Sequence, residues 1–140
     1  MTPVTLVRKK RPLRLPAPWV RLFETADGVA LRLTRYQGGG KGPVMLAHGL
    51  GVSGRIFTLD TVETNLVELL CAAGFDVWNL ESRASIDLPT SQSLFTLDQV
   101  AQYDYPAALA QILEVTKAAA VQVVAHCFGA STFTMSMLGG

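Results

Sequence analysis

The sequence predicts an α/β fold in which a mostly parallel sheet carries helices on both faces. Short, fully apolar runs alternate with segments of helical periodicity, and a β-hairpin pattern precedes them. The composition agrees, because 49% of the 140 residues are hydrophobic and only 16% are charged, as in a globular chain. This length allows one domain or part of one.

The first structured segment is predicted to be a hairpin. Residues 20–23 and 29–36 are strand-like, and Asp27-Gly28 between them tolerates positive φ. After a glycine-rich loop, residues 44–47 form an apolar run that is typical of a strand buried on both faces of a sheet. We therefore expect residue 44 to begin the parallel part of the sheet.

Helices and strands are predicted to alternate after residue 60, and Pro106 is expected to kink or divide the second helix. Strands 44–47, 75–80 and 121–125 should run parallel. The predicted elements, in order, are a helix at 62–73 ending at Gly74, a strand at 75–80, a helix at about 97–117, a strand at 121–125 and a last helix from Gly129.

Ala125-His126-Cys127-Phe128-Gly129 resembles the nucleophile elbow, normally written G-x-S-x-G. In an elbow, a strand leads into a sharp turn that exposes one side chain at the N-terminus of the next helix. Here the nucleophile position holds a thiol and the first glycine is alanine. Cys127 is therefore a candidate nucleophile; the alternative is a small apolar residue that merely fills this position.

Further motifs follow the other two predicted parallel strands. His48-Gly49 follows the first, and Glu81-Ser82-Arg83 follows the second. With the elbow, they make residues 20–140 resemble the N-terminal portion of an α/β-hydrolase domain, truncated after the elbow. The likeness is closer to the acid-lipase-like branch, through residues 75–78 and 103–107.

The chain is also similar to the hydrolase module fused to cholesterol-oxidase-like flavin oxidoreductases. The His126-Cys127 pair and the Asp87-Leu88-Pro89 loop carry this second likeness. It implies a fused or associated flavin oxidoreductase as a partner, whereas the first likeness implies a lipid or ester substrate.

The resemblance also assigns roles at the elbow. Cys127 would be the catalytic nucleophile, and the amides of Leu50 and Phe128 would form the oxyanion hole. Gly49 and Gly51 would allow the close approach of that loop. Helix N-termini favour the thiolate form of cysteine, which is the nucleophilic form.

Several other residues are expected to be supporting rather than catalytic. By resemblance, His48 and His126 occupy packing positions, and Gly129 completes the elbow. Arg83 is expected to tie loops together by hydrogen bonds. Asp104, in the divided helix, is expected to be a cap or an internal partner rather than a triad acid.

In the resembled fold, the triad follows the order nucleophile, acid, histidine. The acid and the histidine would therefore lie beyond residue 140, so the chain is expected to be incomplete. A thiol without a base can be acylated but should not turn over. The strand at 121–124 would then be an unprotected apolar edge, which is an aggregation hazard.

Residues 1–19 are predicted to be a basic, proline-rich arm or linker. Residues 1–21 hold six basic side chains and no acidic one, although the net charge of the chain is only +1. Such an arm could tether nucleic acid or a membrane, but no aromatic or second basic cluster joins it, so a solvated linker is favoured. We expect no nucleic-acid partner.

The remaining sequence features exclude several classes of protein. No apolar stretch approaches the roughly 18 residues of a membrane-spanning helix, and no signal-peptide core is present. Cys71 and Cys127 make no disulfide framework, so a cytoplasmic location is expected. Cys71 lies on an apolar helix face and is expected to be a core residue. Neither a metal-ligand cluster nor a nucleotide-binding glycine motif occurs, so no cofactor is expected.

Three functional interpretations stay open at this point. The first is a lipid or ester hydrolase that transfers acyl groups through Cys127 and needs a C-terminal half. The second is a non-catalytic lipid- or sterol-binding module. The third is an accessory domain of a flavin oxidoreductase.

Overall fold

The computed structural model describes residues 8–139, which form a five-stranded mixed sheet with helices on both faces. The strands are β1 (Trp19–Glu24), β2 (Ala30–Gln37), β3 (Pro43–Ala47), β4 (Asp76–Glu81) and β5 (Gln122–Ala125). The helices are α1 (Leu66–Ala72), α2 (Leu97–Gln99), α3 (Tyr105–Thr116) and α4 (Phe128–Leu138). A π-helical segment, Val100–Asp104, joins α2 to α3, and short 3-10 turns occupy Gly54–Phe57 and Pro89–Gln92.

The strand order is β1-β2-β4-β3-β5. β3 pairs in parallel with both β4 and β5, so that Met45 lies between Trp78 and Val123 in register. This confirms the predicted parallel strands. β2 pairs antiparallel with β1 and with β4, which places the hairpin at one side of the sheet and β5 at the opposite edge.

The hairpin is confirmed, and Asp27-Gly28 lies in its loop. Glu24 pairs with Ala30, which leaves five loop residues, and the Thr25 amide donates to the Val29 carbonyl at 2.9 Å. Of these residues only Gly28 has a positive φ, at 81°. The Thr25 hydroxyl donates to the Asp27 carboxylate at 2.5 Å, and this bond stabilises the loop.

α1 is shorter than the predicted helix at 62–73. Asn65 caps its N-terminus, because its side chain accepts from the Glu68 amide at 2.8 Å while the Glu68 carboxylate accepts from the Asn65 amide at 3.1 Å. This capping box begins the helix after Asn65 and leaves Val62 outside it, exposed. The apolar periodicity extends to residues before Asn65, but the capping box determines where the helix begins.

The helix predicted at 97–117 is divided, as expected, near Pro106. Pro106 lies in the first turn of α3, and the π-helical segment Val100–Asp104 immediately precedes it. Proline cannot donate a backbone hydrogen bond, so the helix accommodates it where the donor is not needed.

The core has two parts, one on each face of the sheet. β3 is buried along its whole length, so its alternating side chains reach both parts. One part lies beneath α3 and includes Met45, Trp78, Tyr105 and Ile112; the other lies beneath α1 and includes Val44, Leu46, Val67 and Val77. Parallel strands covered on both faces are what the apolar runs predicted.

The basic arm packs on the domain, which corrects the expectation of a solvated linker for the residues around Arg11 and Arg14. The Arg11 guanidinium donates to Glu68 at 2.9 and 2.5 Å, and the Arg14 amide donates to the same carboxylate at 2.7 Å. Glu68 is only 4% exposed, and the Arg11 hydrogen bond holds the pKa of Glu68 well below its usual range. A buried carboxylate needs such partners. Residues 1–7 of the arm lie outside the described residues.

Candidate active site

Cys127 lies at the turn between β5 and α4. Its φ of 55° and ψ of −120° place it in a region that non-glycine residues rarely adopt, at the N-cap of α4. The His126 amide donates to the Ala47 carbonyl at 3.0 Å, which holds the turn against the end of β3. The thiol is exposed. The backbone therefore has the geometry of a nucleophile elbow, with the thiol presented at the carboxyl end of the sheet.

Gly129 lets the first turn of α4 contact the end of β3. A Cβ atom at this position would lie 2.6 Å from the His48 carbonyl oxygen and 2.7 Å from that of Ala47. Both distances are far below van der Waals contact and involve backbone atoms, which cannot swing aside. The second glycine of the elbow is thus required by packing.

The loop that is predicted to form the oxyanion hole (residues 48–51, called the oxyanion loop) passes next to the thiol. A Cβ atom on buried Gly49 would lie 3.4 Å from the Cys127 Cβ, and Gly51 has a φ of 73°. Among residues 8–139, no hydrogen bond is donated by the Leu50 or Phe128 amide. Within the described residues, both amides are therefore donors without an acceptor.

The two histidines differ in environment. His126 is exposed, and its Nδ1 would lie 3.6 Å from a Cβ on Gly49, beside the thiol. His48 is 2% exposed, and its two ring nitrogens lie within hydrogen-bond distance of the Gly49 carbonyl, at 2.8 Å, and the Ser82 amide, at 3.3 Å. His48 thus has no ring nitrogen available to take a proton from Cys127.

Arg83 ties the hairpin loop to the π-helical segment, as expected. Its guanidinium donates to Asp27 at 2.8 and 2.9 Å and to Asp104 at 2.8 Å, and its amide donates to Asp104 at 2.9 Å. Burial raises the pKa of Asp104, whereas the Arg83 hydrogen bond lowers the pKa of Asp27. Asp104 is fully buried in this network, so it is an internal partner, as predicted.

Glu81 supports the site, although the sequence assigned it no role. Its two carboxylate oxygens accept from the Gly54 amide at 2.8 and 3.1 Å, and the Ser85 hydroxyl donates to it. Asn79 donates to the Gly54 carbonyl at 2.8 Å. This buried strand end therefore holds the turn that follows the oxyanion loop. Gly54 is 27 residues away from Glu81, so the sequence does not reveal this contact. The one signal for a role of Glu81 is an acidic residue directly after a predicted strand.

An apolar cavity of about 530 Å³ opens beside Cys127. Its walls come from the oxyanion loop, the following 3-10 turn, the start of α1 and the end of β5. The apolar side chains that line it are Leu50, Val52, Ile56, Phe57, Leu66 and Val124. A cavity of this size and lining suits an apolar ligand next to the thiol.

Cys71 is confirmed as a core residue. It is 8% exposed, and its Sγ lies 3.5 Å from the Tyr36 carbonyl oxygen. Burial raises the pKa of its thiol, and the nearby Asp76 adds to this effect. The two cysteines therefore lie in opposite environments.

Comparison with known proteins identifies the fold. An esterase from Pyrococcus furiosus superposes with a TM-score of 0.65 at 20% identity, over 83% of this chain and 44% of that one. A parallel sheet with a nucleophile elbow after the third parallel strand agrees with this match. The chain has the α/β-hydrolase fold.

Within the α/β-hydrolases, the sequence is similar to that of the acid lipases. It is 36% identical to the human lysosomal acid lipase/cholesteryl ester hydrolase and 32% identical to the lipase lipl-3 of Caenorhabditis elegans. Each alignment covers 77% of this chain and 31% of the relative, so the chain spans about a third of the length of both. No family model matches the chain.

These comparisons leave two expectations untested. The flavin oxidoreductase partner has no support among these relatives and stays a prediction, as does the cytoplasmic location. None of the helices in residues 8–139 is long and apolar enough to cross a bilayer. The same residues hold no group of three or more metal-ligating side chains.

Proposed function

We propose that this chain is part of a lipid or ester hydrolase in which Cys127 accepts the acyl group. The main support for this proposal is the exposed Cys127 thiol at an elbow turn, beside an apolar cavity of about 530 Å³. The sequence similarity to acid lipases supports the same class of substrate.

The chemistry follows from the groups around the thiol. The Cys127 thiolate attacks the ester carbonyl carbon, and the electron pair of the C=O bond moves to oxygen. The amides of Leu50 and Phe128 bind this oxyanion. The pair then reforms the C=O bond, the ester C–O bond breaks, and the alkoxide leaves and takes a proton from water, which yields an alcohol and a thioester on Cys127.

Hydrolysis of the thioester requires a general base. Among residues 8–139, the one histidine that approaches a carboxylate is His48, 3.9 Å from Glu81, and its ring nitrogens are engaged inside the fold. We therefore propose that the 140-residue chain stops at the thioester.

The test uses p-nitrophenyl esters of increasing acyl length. We expect the chain to release at most one equivalent of p-nitrophenolate, with the acyl mass located on Cys127 by peptide mapping. Cys127→Ala should abolish the release, and Cys71→Ala serves as the matched control that retains it. The absence of acylation, or its persistence in Cys127→Ala, would refute the proposed nucleophile.

A second candidate is a lipid-binding module without catalysis. The apolar cavity favours it, because its lining binds an acyl chain whether or not the thiol reacts. Displacement of a fluorescent fatty acid would measure this binding. Equal affinity in the wild type and in Cys127→Ala, with no acylation of either, would favour binding alone.

A further inference from the structure

His48 connects the oxyanion loop to the end of β4. It is 2% exposed, its Nδ1 lies 2.8 Å from the Gly49 carbonyl oxygen, and its Nε2 lies 3.3 Å from both the amide nitrogen and the hydroxyl of Ser82. These contacts bring together two segments that are 34 residues apart in sequence.

The partners determine the tautomer of the ring. A backbone amide can only donate, so Nε2 must accept the Ser82 hydrogen bond and carry no proton. A carbonyl oxygen can only accept, so Nδ1 must carry the proton that is donated to Gly49. The two contacts together define one neutral tautomer, with the proton on Nδ1.

The Gly49 carbonyl belongs to the same peptide group as the Leu50 amide. This peptide is trans, because residues 8–139 contain no cis peptide bond. In a planar trans peptide the C=O and N–H bonds point in opposite directions. A bond from His48 to the carbonyl oxygen therefore fixes the direction of the Leu50 N–H.

We propose that His48 is a positioning residue for the oxyanion hole. Resting on the proposed function, this assigns His48 to the acylation step, in which it orients the Leu50 amide without touching substrate. Glu81 acts at the other end of the same segment, where it accepts from the Gly54 amide at 2.8 Å. The segment from Gly49 to Gly54 is thus hydrogen-bonded at both of its ends.

Two substitutions separate the two contacts of the ring. The side-chain amide of asparagine reaches the place of Nδ1, so His48→Asn can still donate to the Gly49 carbonyl. Glutamine reaches the place of Nε2, so His48→Gln keeps a partner for Ser82 but loses the donor to Gly49. The second variant alone should release the Leu50 peptide.

Two reactions of the same thiol then distinguish positioning from general structural support. Acylation of Cys127 by a p-nitrophenyl ester forms an oxyanion, whereas alkylation by iodoacetamide does not. We expect His48→Gln to slow the acylation of Cys127 by a factor of about 10 to 100. This effect is smaller than the 10²–10³-fold loss caused by removing an oxyanion donor outright. His48→Asn should stay within about threefold of the wild type, and alkylation should change less than about twofold in both variants.

Each outcome decides the proposal. Wild-type acylation rates in His48→Gln would overturn it, as would a parallel loss of acylation and alkylation, which indicates structural damage only. If His48→Gln does not fold, ¹⁵N chemical shifts of the histidine rings in the wild-type chain supply the test, and a proton on Nε2 at neutral pH would overturn it. If the wild-type chain is not acylated, the proposed function is refuted instead. The NMR result then decides by itself whether the His48 ring donates from Nδ1 to the Gly49 carbonyl.

Discussion

Gly129→Ala should destabilise the protein although alanine is the better helix former. The added Cβ would lie 2.6 and 2.7 Å from the carbonyl oxygens of His48 and Ala47, so α4 must move away from β3. Overpacking of this kind costs about 1–3 kcal/mol, and contacts with backbone atoms favour the upper end. Alanine in place of glycine returns about 1 kcal/mol of helix propensity. The overpacking cost therefore exceeds the gain in helix propensity, and the free energy of unfolding should fall by about 2 kcal/mol.

Thermal denaturation measures this difference. A loss of about 2 kcal/mol lowers the Tm by about 6–8 °C in a domain of this size. Gly40→Ala is the matched control, because nothing lies within 4 Å of a Cβ there, and its effect should stay within about 0.5 kcal/mol. Acylation of Cys127 should also slow in Gly129→Ala, since the Phe128 amide moves with α4. A Tm unchanged within about 2 °C would show that α4 does not rest on the end of β3 as described.

Three further predictions concern the thiols, the arm and the sheet edge. Iodoacetamide should label exposed Cys127 before buried Cys71 in the folded chain; peptide mapping would check this, and equal labelling would contradict the elbow geometry. Glu68→Gln should lower the Tm at pH 7, because it weakens the bonds to Arg11. Since the folded-state pKa of Glu68 lies below the unfolded value of about 4.3, the gap to the wild type should hold above pH 5 and narrow below about pH 4; a gap independent of pH in this range would contradict it. Val124→Lys on the edge strand β5 should raise the monomer fraction in size-exclusion chromatography, because a charge discourages strand pairing, and a monomeric wild type would refute the expected self-association.

The local features of the site follow from the sequence because they depend on neighbouring residues. A β-branched apolar run before a small-residue turn predicts a strand, a turn and a helix, and β5, Cys127 and α4 occupy these places. Gly51 and Gly129 likewise lie where the motifs require a positive φ or a close approach. The parallel direction of β3, β4 and β5 followed from the helices between them, since a parallel connection needs a crossover.

The tertiary structure alone decided which distant groups meet. The order that puts β4 between β2 and β3 brings Arg83 to Asp27, 56 residues away, and the packing of the arm brings Arg11 to Glu68, 57 residues away. The sequence predicts only a packing position for His48, and the end of β4 supplies the Ser82 amide that determines its tautomer. Periodicity and turn residues determine local backbone conformation, whereas a buried polar side chain takes its partner from whichever segment the topology places beside it.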